Sequence, residues 1–522
     1  MNEEIEEYYE ELYRLCIDEN QPLERRYRQL RESLERVVRE KIQGNSLQTT
    51  DLAARINYVA TQYGLDLKEQ NQLHTFRLTS NDILNHRKSP VKEEFPRDLR
   101  AVAYAYRKMF AQDIPLKLFS VLPKQEIASS GKKEKMEYIR RIRVCFDYAD
   151  DTYLYVHPVD VIADEPIRVV YNKPGINHEF EETIKELWRY AQLNLLDVSV
   201  DRDGIYTPSF IVLEPDYLID ISSLAECYKD YGSHPANYFL SRLVPIDNAR
   251  PLLLGNIANL FLDEWIHAGE EEPDYIDCMK KAFRQYPIEL AACAELRDPS
   301  KEKEFAKDCR MHFEHIRDVV QHTFLEPGYN LDKKEAVLEP SYICEALGIQ
   351  GRLDYMQRDM SSFIEMKSGK ADEFSMQGKV EPKENNKVQM LLYMAVLEYS
   401  MGQDRRRMHP YLLYTRYPLL YPARASWAQV RRVINLRNRI VAAEYGVQFH
   451  NHPDFTRNLL AQINPEVVNE RKLSGRFWEQ YLKPSISRFR EKLSALEPLE
   501  QAYFYTLYNF ITKELYTSKS GD

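Results

Sequence analysis

The sequence predicts an α/β protein, α+β over its whole length, on three observations. Apolar residues recur at three- and four-residue spacing over 1–110. Short β-branched and aromatic runs fill 111–250. From 251 onward, short strand-like runs alternate with helical ones up to 445, and 446–522 reads as mostly helical. A chain of 522 residues has room for about three domains at roughly 150 residues each.

Each element follows from local pattern. Glu3–Glu19 and Leu23–Ile42 read as helices, the second with Leu30, Leu34, Val37 and Val38 on one stripe. Leu52–Tyr63 is a further helix. The basic run Arg25–Arg31 reads as a solvated helix face, with a nucleic-acid contact as the minority reading. Strands are expected at Arg141–Tyr148, Thr152–Val156, Pro166–Tyr171 and Ser209–Leu213, with a helix near Glu181–Leu195. A barrel of the oligonucleotide-binding type is compatible with these short strands but not specified by them. Then come helices Gly255–His267, Tyr275–Leu296 and Lys301–Phe324, and strands Ala336–Glu339, Gln350–Tyr355 and Phe363–Lys367. Helix Asn386–Tyr399, strand Pro410–Tyr414 and helix Ala425–Tyr445 complete this part. The end, Ser518–Asp522, reads as the start of a linker.

Composition narrows the function classes. Hydrophobic residues make up 44% and charged residues 29%, which suits a folded globular chain. A net charge of -10 excludes a uniformly basic nucleic-acid coat, so such a contact needs a local basic groove. The opening Met1-Asn2-Glu3-Glu4 lacks the basic-then-apolar pattern of a secretory leader. The longest apolar-rich run, Val388 to Leu397, is about ten residues, while a membrane span needs about 20. Seven scattered cysteines without CxxC spacing fit free thiols in a reducing, cytoplasmic setting. There is no phosphate-binding Gly-x-x-x-x-Gly-Lys-Ser/Thr loop.

The chemistry lies in Gly348-Ile349-Gln350-Gly351-Arg352-Leu353-Asp354, followed by Phe363-Ile364-Glu365-Met366-Lys367-Ser368-Gly369-Lys370. Side chains alternate along a strand, so Glu365 and Lys367 share a face. Asp354 joins them if the two strands form a hairpin through Gln357–Ser361. Two carboxylates on one face are costly unless a cation neutralises them, and hard oxygen ligands favour Mg²⁺ or Mn²⁺. A neighbouring lysine suits positioning a water and stabilising phosphate charge. Downstream, Gln389 and Tyr393 are four apart and share a helix face.

Asp, Glu-x-Lys, the trailing Gly-Lys and Gln-x-x-x-Tyr resemble, in order, the PD-(D/E)XK nuclease superfamily and its RecB-type branch. The wording is similar to the nuclease regions of replication helicase–nucleases that trim single-stranded flaps, and to CRISPR adaptation exonucleases. The resemblance covers about 200 residues from Pro251. It implies a mixed sheet flanked by helices. Asp354, Glu365 and Lys367 would be catalytic, and Asp354, Glu365 and the Met366 carbonyl would ligate Mg²⁺ or Mn²⁺. Gln389, Tyr393, Lys370 and Arg352 would contact single-stranded, flapped or end DNA. A helicase partner, in the same polypeptide or as a separate chain, is expected, in DNA processing, repair or defence.

Two departures stand out. Where the branch places a metal-binding histidine, Leu254-Gly255-Asn256-Ile257-Ala258-Asn259 puts Asn259, whose amide oxygen is a poorer ligand for softer metals. No cysteine follows Cys344, so the iron–sulfur cluster of many relatives is not expected. Glu339 is an accessory acidic candidate. Cys309, His312 and His315 tempt a zinc reading, but they sit within one helical segment without a second ligand pair, and polar residues on a partly exposed helix are the plainer account. Arg432 and Arg439 share a helix face and suit either a backbone-binding channel or a solvated surface. Two alternatives remain open: a non-catalytic nucleic-acid-binding scaffold, and an RNA nuclease.

Overall fold

The computed structural model describes residues 3–18, 20–42, 52–123, 138–160, 163, 165–172, 177–201, 203–243, 250–329, 331–374, 379–423, 426–450 and 452–520. The architecture is α+β, and the chain divides into two compact units. One comprises Met1–Pro215, Val441–His452 and Tyr508–Asp522; the other comprises Asp216–Ile440 and Pro453–Leu507.

The first unit opens with α1 (Glu3–Ile17), α2 (Leu23–Ile42), α3 (Leu52–Gln62), α4 (Leu67–Leu84), α5 (Phe95–Phe110) and the single turn α6 (Leu116–Phe119). Their apolar stripes close on a core that includes Leu12, Tyr27, Leu34, Val37, Phe76 and Tyr106. The basic run is not a solvated face throughout. Arg26 is buried, and its guanidinium donates to the Leu15 and Cys16 carbonyls at 2.6–3.1 Å. It thereby satisfies acceptors that the end of α1 leaves open.

Six strands follow: β1 (Tyr138–Ala149), β2 (Tyr153–Pro158), β3 (Ile167–Val170), β4 (Gln192–Val200), β5 (Tyr206–Thr207) and β6 (Phe210–Leu213). β1 pairs with both β2 and β4, which closes the order β1-β2-β3-β5-β4 into a ring. β5 and β6 lie along β4 in one register, Thr207 opposite Ser199 and Phe210 opposite Leu196, so they act as one interrupted strand. The ring is a small barrel of the oligonucleotide-binding architecture. The expected helix Glu181–Leu195 is shorter, α7 (Glu181–Lys185), because Gln192–Leu195 begin β4. Trp188 stacks on Tyr445, and Tyr445 meets Tyr516 edge-on, which fastens the returning segments 441–452 and 508–522 into this unit.

The second unit begins earlier than the composition shift at Pro251 suggests. β7 (Ile219–Asp220) pairs in parallel with β10 (Ile349–Arg352), and β10 pairs with β9 (Ser341–Cys344). Residues 216–250 therefore belong with the second unit rather than with the barrel. They carry α8 (Ile221–Ala225) and α9 (Ala236–Leu243). Next come α10 (Arg250–His267), α11 (Tyr275–Gln285), α12 (Pro287–Ala292) and α13 (Pro299–Gln321). The single helix expected over Tyr275–Leu296 breaks at Pro287, whose ring cannot continue the hydrogen-bond ladder.

A five-stranded sheet has the order β16-β15-β12-β11-β8: β8 (Ala336–Leu338), β11 (Tyr355–Gln357), β12 (Ser362–Lys367), β15 (His409–Tyr414) and β16 (Leu419–Pro422). β12 and β15 run parallel and the other neighbours antiparallel. The small hairpin β13 (Asp372–Phe374) and β14 (Lys379–Glu381) precedes α14 (Glu384–Met401). Leu254, Ile257, Ala258 and Phe261 of α10 pack with Tyr355, Ile364 and Met366 of the sheet. α15 (Trp427–His450) follows; the helix expected from Ala425 starts at Trp427, and Ala425 lies outside the described residues.

The chain ends in α16 (Pro453–Ala461), α17 (Pro465–Val468), α18 (Lys483–Ser494) and α19 (Pro498–Ser520). Ser518–Ser520 are helical rather than a linker, and Gly521 and Asp522 lie outside the described residues.

One buried cation ties β7, β10 and α15 together. Arg437 is fully buried and donates from Nε to the Gly348 carbonyl at 3.1 Å and from Nη2 to the Tyr217 carbonyl at 2.6 Å. Gly348 has φ +64, and a Cβ there would collide with that same Nη2. Gly348→Ala is thus expected to destabilise the fold by about 2–3 kcal/mol from αL strain and displacement of the guanidinium. Arg437→Leu, which takes one donor from each of the two carbonyls and leaves a void where the guanidinium was, should cost about as much; urea unfolding of each variant checks both.

Candidate active site

Asp354 stands where the expected strand over 350–355 breaks in two. Ile349–Arg352 belong to the three-stranded sheet and Tyr355–Gln357 to the five-stranded one. Leu353, fully buried, pins the crossover, and its N–H donates to the Pro340 carbonyl at 3.1 Å. The Asp354 carbonyl accepts from Glu339 N–H at 3.1 Å. Glu339 itself has φ +49 and pairs with Arg352 at 3.1 Å on the surface.

The expected hairpin is present. Tyr355 faces Ile364 and Met356 faces Phe363. Carried one step further, that register brings Asp354 beside Glu365, and Met366 N–H donates to Asp354 Oδ2 at 2.6 Å. On its other edge β12 gives the Ser361 and Lys367 carbonyls to His409 and Thr415 N–H groups at 2.7 and 3.0 Å. Strand alternation then turns the Met366 carbonyl toward the Asp354 side.

Glu365 and Lys367 share a face, as their spacing requires. Lys367 Nζ donates to Glu365 Oε1 at 2.8 Å and to Gln389 Oε1 at 2.9 Å. Gln389 Nε2 donates to the same Glu365 Oε1 at 2.6 Å. Three side chains thus close a ring, and Glu365 is 3% exposed. Its other oxygen, Oε2, is buried without a hydrogen-bond partner among the described residues.

The electrostatics follow from burial. Desolvation, then the Asp354 charge, push the Glu365 carboxyl up to about 8 against the downward pull of Lys367. Burial also raises Asp354, opposed by the Met366 N–H and by Lys367. Burial alone would lower Lys367, but the charge and hydrogen bond of Glu365, with Asp354, outweigh it and raise the ammonium.

α14 carries a polar row through an apolar helix. Asn386 donates to Tyr414 Oη at 2.6 Å, Gln389 meets Glu365 and Lys367, and Tyr393 Oη donates to the Arg352 carbonyl at 2.6 Å. Tyr393 is buried, so its hydroxyl holds β10 rather than facing solvent. A Cβ on Gly351 would lie 3.0 Å from that hydroxyl, so glycine is what lets the ring approach. Lys370 is exposed, with no hydrogen bond or ion pair among the described residues, and Arg352 is exposed apart from Glu339.

Asn259 is half-buried on α10. Gly255, one turn earlier, comes within 3.2 Å (from an added Cβ) of Ser368 Oγ, just after Lys367. Sequence reasoning missed Asp263, one turn after Asn259. Burial, then the charges of Glu339 and Asp354, push its carboxyl up to about 6 despite His267. The signal was present as an i, i+4 step from Asn259. Asn386, three residues before Gln389, was missed for the same kind of reason.

The other signals resolve differently. Cys309 and His312 are buried rather than partly exposed, and His315 bonds the Thr415 carbonyl at 3.0 Å. On α15 Arg432 is exposed and Arg439 half-buried, while Arg437 is interior and does not share their setting. The barrel segment 138–215 is acidic on balance, with eight Lys and Arg against fourteen Asp and Glu.

Among the described residues no three His, Cys, Asp or Glu side chains form a group that would hold a metal ion. The donor chemistry nonetheless fits Mg²⁺ or Mn²⁺ at Asp354 and Glu365: hard oxygens, an unpartnered buried carboxylate oxygen and a nearby main-chain carbonyl. No helix among the described residues is long and apolar enough to cross a membrane. No family model matches the chain, and no curated protein matches it significantly.

A carboxyl raised by folding contributes stability that is full below its unfolded value of 4.5 and is lost as pH climbs through about 8. Glu365→Gln keeps the size and removes the titration. Its melting temperature relative to wild type should therefore rise steadily between pH 5 and pH 9. Calorimetric scans at three pH values check this, and a flat difference contradicts the burial account.

Proposed function

We propose that the second unit is a divalent-metal-dependent phosphodiesterase that hydrolyses DNA at single-stranded, flapped or end regions. The observation that carries this reading is the convergence of Asp354, Glu365 and Lys367 where β11 leaves the crossover, with Glu365 Oε2 buried and unpartnered among the described residues. The resemblance to RecB-type PD-(D/E)XK nucleases supports it through the same residues.

Asp354, Glu365 and the Met366 carbonyl are the groups that would hold Mg²⁺ or Mn²⁺. Such an ion supplies charge neutralisation at phosphate and a more acidic water. Lys367 keeps its proton in this setting, so it acts as a fixed positive charge that orients the attacking water and stabilises the phosphorane-like oxygen charge. Lys370, exposed on the loop after β12, suits a phosphate contact. Asn259 and Asp263 present an amide and a carboxylate from α10 and would extend the oxygen lining. A helicase acting with this unit belongs to the same proposal.

One observation favours the non-catalytic scaffold: among the described residues the acidic side chains do not gather into a three-member metal group. One experiment separates the two. The chain is incubated with labelled single-stranded, 5′-flap and RNA substrates in Mg²⁺, Mn²⁺ or EDTA. Metal-dependent cutting should fall at least about 100-fold in Asp354→Ala and Lys367→Ala, with binding retained. Equal cutting by Lys367→Ala overturns the assignment, and RNA cut in preference to DNA redirects the substrate class.

A further inference from the structure

We infer that Gln389 is a positioning residue for the Glu365–Lys367 pair rather than a contact for the nucleic acid. The inference rests on the nuclease reading and assigns a job within it. Gln389 is 8% exposed, so little of its amide is left for a substrate. Both ends of that amide are engaged: Nε2 to Glu365 Oε1 at 2.6 Å, and Oε1 from Lys367 Nζ at 2.9 Å.

The chemistry fixes which end goes where. An ammonium has no acceptor, so it must meet the amide oxygen, and a carboxylate has no donor, so it must meet the NH₂. No other uncharged side chain of this length offers one donor and one acceptor in a plane. Glutamate at 389 would still accept from Lys367 but would place a further carboxylate against Glu365. Methionine would fill the space and make neither bond.

The arrangement also selects an oxygen. Oε1 of Glu365 receives both donors, and Oε2 receives none among the described residues. Gln389 therefore holds the carboxylate in the rotation that leaves Oε2 for a ligand. Without it, Lys367 has one partner fewer and Glu365 Oε1 is held by Lys367 alone. Losing an outer partner of a metal ligand typically costs about 10- to 100-fold in metal affinity or activity.

The test compares the wild-type chain with Gln389→Glu, Gln389→Met and Gln389→Ala. Three quantities are read: kcat and KM on a labelled single strand, Kd for that strand in Ca²⁺, and Mn²⁺ affinity by titration calorimetry. All three variants are expected to lose about 10- to 100-fold in kcat or Mn²⁺ affinity, while KM and the Kd for DNA stay within about twofold. Melting curves identify any variant that fails to fold, and the near-isosteric Glu and Met variants then carry the comparison. A raised KM and DNA Kd with unchanged kcat makes Gln389 a substrate contact and overturns the inference. Full activity in Gln389→Met makes it packing alone and does the same. If the wild type neither cuts nor binds Mn²⁺, the nuclease reading itself falls and takes this role with it.

Discussion

The second unit is organised around the cost of taking the Glu365 carboxyl out of water beside a half-buried Asp354. Two carboxylates near each other in a water-poor strand pair repel, and burial removes the solvent that would screen them. The chain meets that cost with three groups drawn from separate places: Lys367 two residues on, Met366 N–H on the same strand, and Gln389 from α14. None of these alone satisfies both acids. One carboxylate oxygen stays unpaired even so among the described residues. A sheet built only for stability would have no reason to keep an acid there, since apolar replacements of such pairs are often as stable.

Satisfying those groups dictates the neighbouring architecture. Asn386, Gln389 and Tyr393 lie at i, i+3 and i+7 on α14, so one helix face reaches β15, β12 and β10 in turn. The remainder of that helix is apolar and buried, which fixes its rotation before the polar row forms its bonds. From the opposite side of the sheet, α10 buries Tyr355, Ile364 and Met366. The strand between the two helices can then hold an ion pair on one face and an apolar core on the other. The Arg437 guanidinium plays the same part for the crossover, donating to the Gly348 carbonyl, which also accepts from Ile219 N–H, and to the Tyr217 carbonyl.

Much of this was legible in the sequence, and the rest failed for local reasons. The hairpin that joins Asp354 to Glu365 and Lys367 follows from period-two alternation and a turn-like connection. The shared face of Gln389 and Tyr393 follows from helical spacing. The role of Tyr393 does not, because nothing in its spacing says that Gly351 clears room for its ring. The position of β7 was invisible, since two residues, Ile219 and Asp220, carry no strand signal until β10 offers an edge. Arg26 read as a surface charge because a sequence shows charge but not the carbonyls that accept it, and nothing in the sequence marked Arg437 as interior. The barrel's closure was equally hidden, because β5 is two residues long and joins β3 to β4 only in three dimensions.

The break at Leu353–Asp354 is where these threads meet. A continuous strand over 350–355 would alternate Asp354 with its neighbours and commit its backbone to one sheet. Passing instead from one sheet to the other releases Asp354 from a ladder position while leaving its carbonyl on Glu339 and its carboxylate on Met366 N–H. The acid is held by main chain at both ends, so its placement depends on the β11–β12 register rather than on a flexible side-chain contact. The constraint runs the other way too. The register is fixed because a one-residue slip would turn Glu365 and Lys367 into the apolar layer under α10 and expose Ile364 and Met366. Core packing and site geometry are therefore one requirement, imposed on the same six residues of β12.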